Sequence, residues 1–385
     1  MESKRGRIFS IAAGLVLFVV MAATRPDLGL NASANGPGPS LSGWEIRPPV
    51  TYENLTVFPV VSSENAETGD FATLDEALAS GDIVVSEQGD SFGRTRDGRI
   101  PSGFSTGPQV NQLVLINRGK RPVLLLAGEV VSGGKQDRII GKDRIVPVGR
   151  APLPLDVFCV EHGRWTGISN QFSGANLMVH PSVREEAAIE QDQNQVWAAV
   201  RGETKSVGSG AAIGAPRISA GALSDAMAAA GTQSYPRIYK SSPIGRSVAS
   251  VADEIRRRFD RATSALKGEH VVGVVVAFQD EVAWSDIFAS SELFTAYWPK
   301  LLSSYVVEAM TRPGVHETAS LEEARDFLRP IMGHIEEESE PGVYIWRKQS
   351  VGRLSETRLT ALAPKPLMLH ELRVLRGDER GVIAR

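Results

Sequence analysis

Polar residues able to do chemistry crowd into one stretch of the chain, Val123 to Trp165. Glu129 follows the apolar run Val123-Leu124-Leu125-Leu126 and a small turn, Ala127-Gly128. After the glycine pair Gly133-Gly134 come Lys135, Gln136, Asp137 and Arg138. Glycines let the backbone take positive φ and approach a ligand closely. An ammonium and a guanidinium fork suit a carboxylate or phosphate, and a carboxamide both donates and accepts. Lys135, Gln136 and Arg138 are therefore candidate ligand-binding residues. Glu129 is a candidate general base, or the partner that pins Lys135 or Arg138. The alternative is a tight hairpin turn carrying a surface ion pair.

A second cluster closes the stretch: Cys159-Val160-Glu161-His162-Gly163-Arg164-Trp165. Glu161 is a second candidate catalytic carboxylate, Arg164 a further anion donor, and Trp165 a wall against which a ring could stack. In a strand, Cys159 and Glu161 point to one face. Cys159 is a candidate nucleophile, although a single buried cysteine more often serves as a small apolar residue. Asp286 is a weaker candidate, with a strand-end turn acid as the alternative. His180, His270, His316, His334 and His370 are scattered and read as structural.

Composition removes several classes. The chain has 385 residues, 42% hydrophobic and 23% charged, with a formal net charge of -3. That balance does not suit a general nucleic-acid binder. One cysteine excludes an intrachain disulfide and a multi-cysteine metal site. No P-loop, GxSxG elbow, HExxH helix or EF-hand loop is present, so no cofactor or metal is expected.

The elements that must position these residues read as follows. Asn54 to Val61 is a strand, with Pro59 marking it as an edge or an end. Thr73-Leu74-Asp75-Glu76 is a capping box that opens a short helix. Ile83–Glu87 and Asn111–Asn117 are strands, separated by a Gly- and Arg-rich loop at 89–109. Val123–Ala127 is the return strand of a hairpin with 111–117. Short strands at 138–140, 144–148 and 155–161 follow. Helices are expected over 181–200, 222–230, 248–266, 291–310 (with a kink or break at Pro299) and from the capping box at Ser320. Val271–Phe278 and Val282–Phe288 form a hairpin, and strands at 343–346, 354–362 and 368–375 close the fold. The fold class is α+β: a mainly antiparallel sheet or sandwich in the N-terminal half and a helix-rich α+β C-terminal half.

The N-terminus has its own signature. Lys4, Arg5 and Arg7 precede an apolar run from Ile8 to Ala23. Residues 1–24 read as a secretory signal, cleavable after Ala22, or as an uncleaved membrane anchor. Residues 25–43 are a Pro-, Gly- and Ser-rich linker. The folded domain spans 44–375, with a possible division into subdomains near 180, and 376–385 is a tail. The mature chain is expected to be periplasmic or extracellular, or held at a membrane only through its N-terminal segment.

The motif pair Leu126-Ala127-Gly128-Glu129 with Gly133-Gly134-Lys135-Gln136-Asp137-Arg138, followed by Cys159 to Trp165, resembles a known family. It is similar to the ADP-ribosylglycohydrolase- and rhodanese/phosphatase-superfamily-associated protein domain. The similarity continues through Gln195-Val196-Trp197 and Val274 to Tyr305, covering about Leu55 to Leu372. The family's name implies an association with ADP-ribose-handling enzymes; no catalytic mechanism comes with it.

Two functional expectations result. In the first, Lys135, Arg138 and Gln136 hold a small anionic ligand, Glu129 or Glu161 is the base, and both motifs line one concavity. In the second, the chain is a non-enzymatic envelope module, and Glu129 pairs with Lys135 or Arg138 inside the fold.

Overall fold

A computed structural model describes residues 43–87, 111–161, 169, 171–201, 218–231, 234–240, 242–312 and 318–377. The chain enters the fold through β1 (Trp44–Ile46), β2 (Val50–Tyr52) and the long β3 (Leu55–Ser62). β4 (Ala72–Thr73) leads into α1 (Leu74–Ala79). The expected capping box sets that helix start: the Thr73 hydroxyl accepts from the Glu76 N–H, and the Glu76 carboxylate accepts from the Thr73 N–H. β5 (Ile83–Glu87), β6 (Gln112–Asn117), β7 (Val123–Leu125), β8 (Glu129–Gly133), β9 (Arg138–Ile140), β10 (Arg144–Val146), β11 (Gly149–Cys159) and β12 (Phe172–Met178) follow. Next come α2 (Pro181–Glu185), a π-helical turn (Glu186–Glu190), α3 (Gln193–Val200), α4 (Ala220–Ala230), α5 (Tyr235–Tyr239) and α6 (Pro243–Thr263). The chain then forms β13 (His270–Phe278), β14 (Glu281–Phe288), α7 (Ser291–Thr311), α8 (Leu321–Phe327), β15 (His334–Glu340), β16 (Tyr344–Val351), β17 (Leu354–Ala361) and β18 (Leu367–Leu375).

These strands make three sheets. The nine-stranded sheet runs β1-β3-β13-β14-β18-β17-β16-β15, with β2 also on β3. The six-stranded sheet runs β12-β8-β9-β11-β6-β5, and the three-stranded one β10-β7-β4. Only the β4–β7 pair is parallel among the described strands. The architecture is thus α+β with mainly antiparallel sheets, as expected. The described residues form one compact unit. Its largest apolar core joins residues from Val50 to Val374, with α6 and α7 covering the nine-stranded sheet. On α6 the apolar period buries Val251, Ile255 and Phe259 and leaves Arg256 and Arg257 exposed beside Asp253 and Glu254.

Four local expectations are corrected. β3 is an interior strand, flanked by β13 on one side and by β1 and β2 on the other. Pro59 is tolerated because it falls between the stretches paired to β1 and β2, where its missing N–H removes no ladder bond; its carbonyl still accepts from Arg47 N. β7 is not the hairpin partner of β6. Both edges of β6 are taken by β5 and β11, and β7 pairs with β4 and β10 instead. The helix expected over 181–200 breaks at Gln191, whose φ is +56°, and Asp192 caps a new helix by accepting from the N–H groups of Asn194 and Gln195. α7 runs through Pro299 without a break. The loop at 89–109, residues 1–42 and the tail from 378 lie outside the described residues. No described helix is long and apolar enough to cross a membrane.

Candidate functional site

The two ends of β8 carry the motif residues, and each end is built differently. At its start, the turn Leu126-Ala127-Gly128-Glu129 is gripped by charged groups from distant parts of the chain. Glu129 is fully buried and accepts from Leu126 N at 2.7 Å. Its other oxygen meets Lys300 of α7, which also reaches Asp75 of α1 at 2.7 Å. Burial raises the Glu129 carboxyl, and Lys300 opposes that. Burial alone would lower the Lys300 ammonium, but Glu129 and Asp75 outweigh it and hold Lys300 protonated.

The same turn is held from the other side. Ala127 N donates to Asp143 at 2.8 Å, and Ala127 O accepts from Arg184 Nε at 2.7 Å. Arg184 pairs with Asp286 at 2.8 Å. His370 bridges Asp143 (2.6 Å from Nδ1) and Asp286 (3.0 Å from Nε2). Trp284 Nε1 and the Tyr305 hydroxyl also donate to Asp286. Burial would lower the His370 pKa, but the two carboxylates hold it at about 9, so both ring nitrogens donate. Burial would raise Asp286, yet Arg184 and His370 keep it well below the usual carboxylate range. Asp143, Asp286, Arg184 and His370 are all buried, and their two positive and two negative charges cancel. Gly128 has φ +92°, and a Cβ there would sit 2.8 Å from Arg184 Cγ. Glycine is needed at that position for both reasons.

At the far end of β8, Gly133-Gly134 turn the chain toward β9. Gly134 has φ +51°, and a Cβ on it would lie 2.6 Å from Glu87 Oε1. Asp137 closes the loop: its Oδ1 accepts from Ser132 Oγ at 2.6 Å and Gly133 N at 3.2 Å, and its Oδ2 from Ser234 Oγ at 2.6 Å. Glu161, at the end of the described part of β11's continuation, accepts from Asp137 N at 3.2 Å. Arg138 Nη1 donates to Gln136 O at 2.8 Å and lies 3.4 Å from Gln136 Oε1, while Nη2 is 3.8 Å from Glu87. Gln136 is 1% exposed, and its Nε2 has no acceptor among the described residues. The Arg138 donor fixes which end of the carboxamide is oxygen. Other buried polar atoms without partners include Ser285 Oγ and Arg373 Nε, on register partners of the nine-stranded sheet, where the Arg373 guanidinium donates to Phe327 O and Arg329 O.

The structure therefore brings Gln136, Arg138 and Glu161 together and engages Glu129 elsewhere. Glu129 pairs inside the fold, as the second expectation held, but its cation is Lys300 and not Lys135 or Arg138. The Lys135 side chain is exposed, and only its backbone N–H joins the cluster, through Glu87 at 3.0 Å. Arg164 and Trp165 lie outside the described residues. Cys159 is buried opposite Arg138 in the β9–β11 register, and burial pushes its thiol up to about 11, which disfavours the thiolate. Asp286 is not a turn acid but a mid-strand residue of β14 at the centre of the charge network. Lys300, Asp143, Arg184 and Ser234 were not singled out from the sequence. Lys300 left one signal, a lone charge between Tyr297-Trp298 and Leu301-Leu302 in an apolar helix.

Two surface recesses among the described residues lie elsewhere. One of about 250 Å³ is lined by Tyr52, Leu55, Val251, Val306 and Met310, and one of about 700 Å³ by Trp44, Ile46, Arg325, Leu328 and Arg329. No group of three or more His, Cys, Asp or Glu among the described residues is arranged to hold a metal ion.

The profile of the ARG and Rhodanese-Phosphatase-superfamily-associated Protein domain matches residues 43–371. The chain belongs to that family. The match runs from the first described residue into β18, so β8, its two loops and the Lys300 helix all lie within the family's domain. No curated protein and no solved structure matches the chain.

Proposed function

We propose that this domain binds a small ligand bearing an anionic oxygen at the Gly133–Arg138 loop. The observation that carries the reading is the buried Gln136 Nε2, a donor without an acceptor among the described residues, beside the Arg138 guanidinium. A buried donor left unmatched costs about 1–3 kcal/mol, which a ligand oxygen recovers. Glu87 lies 3.8 Å from the Arg138 guanidinium, and Glu161 accepts from Asp137 N on the same loop. An amide donor beside a guanidinium suits a carboxylate or phosphate oxygen. Glu129 and Cys159 stand outside this reading, since Glu129 is paired with Lys300 and burial disfavours the Cys159 thiolate. The association that the family's name records places ADP-ribose and nucleotides in the set worth testing. The basic residues and apolar run at the N-terminus support an exported or membrane-anchored chain, which N-terminal sequencing of the membrane and soluble fractions tests.

The experiment is a thermal-shift screen of inorganic phosphate, sugar phosphates, nucleotides and ADP-ribose against the wild type and Gln136→Leu. A ligand at a hundredfold its Kd stabilises by about 2.7 kcal/mol. The variant is expected to lose that shift while keeping its own fold. An unchanged shift in Gln136→Leu, or no shift with any ligand, sinks the proposal. The second outcome leaves the non-enzymatic envelope module, which the internal neutralisation of Glu129 favours.

A further inference from the structure

The far edge of the nine-stranded sheet has a composition that the ligand site does not explain. β15 is the last strand, paired with β16 on one side and with no described strand on the other. Its sequence is His334-Ile335-Glu336-Glu337-Glu338-Ser339-Glu340, and its residues from His334 to Ser339 are exposed. An open edge presents a row of backbone donors and acceptors to any extended segment that fits.

Two features define what fits. The first is charge. Glu336, Glu337, Glu338 and Glu340 each pair through one oxygen, with Lys348, Arg347, Lys142 and Arg144 respectively. Each keeps a side-chain exposure between 43% and 57%, and the second oxygen of each has no donor among the described residues. Glu336, Glu338 and Glu340 share one face, because alternate residues of a strand point the same way. The second feature is apolar. Among the described residues, four large apolar side chains are exposed, and three of them gather here: Met332 just before β15, Ile335 on it, and Val351 on β16. Ile335 is the register partner of Gln349, so Val351 lies diagonally across from it on the same face.

We propose that β15 is a docking strand for an extended basic segment of a partner protein, added antiparallel to the sheet. Lysine or arginine at alternate positions of that segment meets the open oxygens of Glu336, Glu338 and Glu340. Between them, an apolar residue on the opposite face covers Ile335 and its neighbours Met332 and Val351. A second copy of this chain does not fit, because β15 against β15 would set carboxylates opposite carboxylates.

The test uses the full chain and a labelled peptide alternating lysine with valine, with a scrambled form and a form N-methylated along one edge. Anisotropy is expected to show binding of the alternating peptide only. Amide exchange should slow within 334–340 and not elsewhere. The triple variant Glu336→Gln/Glu338→Gln/Glu340→Gln is expected to bind about eightfold more weakly, each exposed cross-strand pair contributing about a factor of two. Circular dichroism checks that the variant stays folded. Equal binding of the N-methylated peptide shows simple charge attraction and overturns the proposal. So does absence of binding, unchanged exchange at 334–340, or self-association of the chain through this edge.

Discussion

Lys300→Met removes the only cation on Glu129 among the described residues while keeping an unbranched side chain in α7. Glu129 then stays buried with a single donor, Leu126 N. Asp75 keeps the Asn176 N–H at 2.7 Å and its partial access to water. Stripping one partner from a buried ion pair costs about 3–5 kcal/mol, and since Asp75 is partly solvated the loss is expected near about 4 kcal/mol. A fold of this size has an unfolding entropy of about 0.7 kcal/mol/K, so Tm should fall by about 6 °C. The loss also depends on pH. Without Lys300, burial raises the Glu129 carboxyl further above its unfolded value. The native state then holds a proton that the unfolded chain releases, so stability falls as pH rises through that window. The deficit should be smallest near about pH 4 and grow toward neutrality. Urea unfolding at a series of pH values measures this. Adding Glu129→Gln should recover about 2 kcal/mol of the loss at neutral pH, a coupling expected only for groups in contact. A deficit below about 1 kcal/mol, or one that does not change with pH, refutes the assignment of Glu129 and Lys300 to the scaffold.

Two further outcomes test the other side of the turn. His370 is held at about 9 against an unfolded value of about 6.5, so its contribution is complete below about pH 6.5 and is lost as pH rises through 9. Urea titrations should show about 3 kcal/mol of stability disappearing across that range, and His370→Gln, though less stable throughout, should lack this slope. Gly128→Ala should cost about 3 kcal/mol, from a positive φ and a Cβ 2.8 Å from Arg184 Cγ. Gly81→Ala, with φ +75° and nothing near its Cβ, is the control and should cost about 1 kcal/mol. Equal losses at the two positions would mean that the Arg184 contact contributes nothing.

Local signals in the sequence located most elements, and physical reasons separate what was legible from what was not. Both capping boxes, at Thr73 and Ser320, opened helices where expected, because a cap is satisfied within four residues of chain. Most strongly apolar strands also came through, but β8 and β12 did not, and the pairing of β7 was missed, since it depends on which edges of β6 are already occupied. β15 went unseen. Its run of glutamates lacks the alternation that marks a strand, and it is held by cross-strand pairs with β16 that only the fold supplies. At the site, proximity in sequence gave Gln136, Arg138 and Glu161 correctly as neighbours, because β9 and β11 are antiparallel partners within the same stretch. The partner of Glu129 lies 171 residues away, and no local pattern could connect it to Lys300. A buried charge finds its counterion through tertiary packing, so single-sequence reading recovers such a pair only as an isolated lysine in an apolar helix.

The contrast between the two ends of β8 separates scaffold from site. At Glu129 every charged group has a counterion, and Gly128 leaves room for no larger residue, so changes there should act on stability first. At Gln136 a buried donor lacks an acceptor among the described residues, and Asp137 ties the loop by accepting from Ser132 and Ser234. If that division holds, Lys300→Met and Gln136→Leu should have separable effects. The first lowers Tm and leaves the ligand-induced increment intact. The second leaves stability within about 1 kcal/mol of the wild type and abolishes the increment, since removing the unmatched donor also removes its desolvation cost. The double variant should show both effects without interaction, because the two ends share no partner among the described residues. A loss of ligand response in Lys300→Met at a temperature where it is fully folded would instead place Glu129 and Lys300 in the binding site.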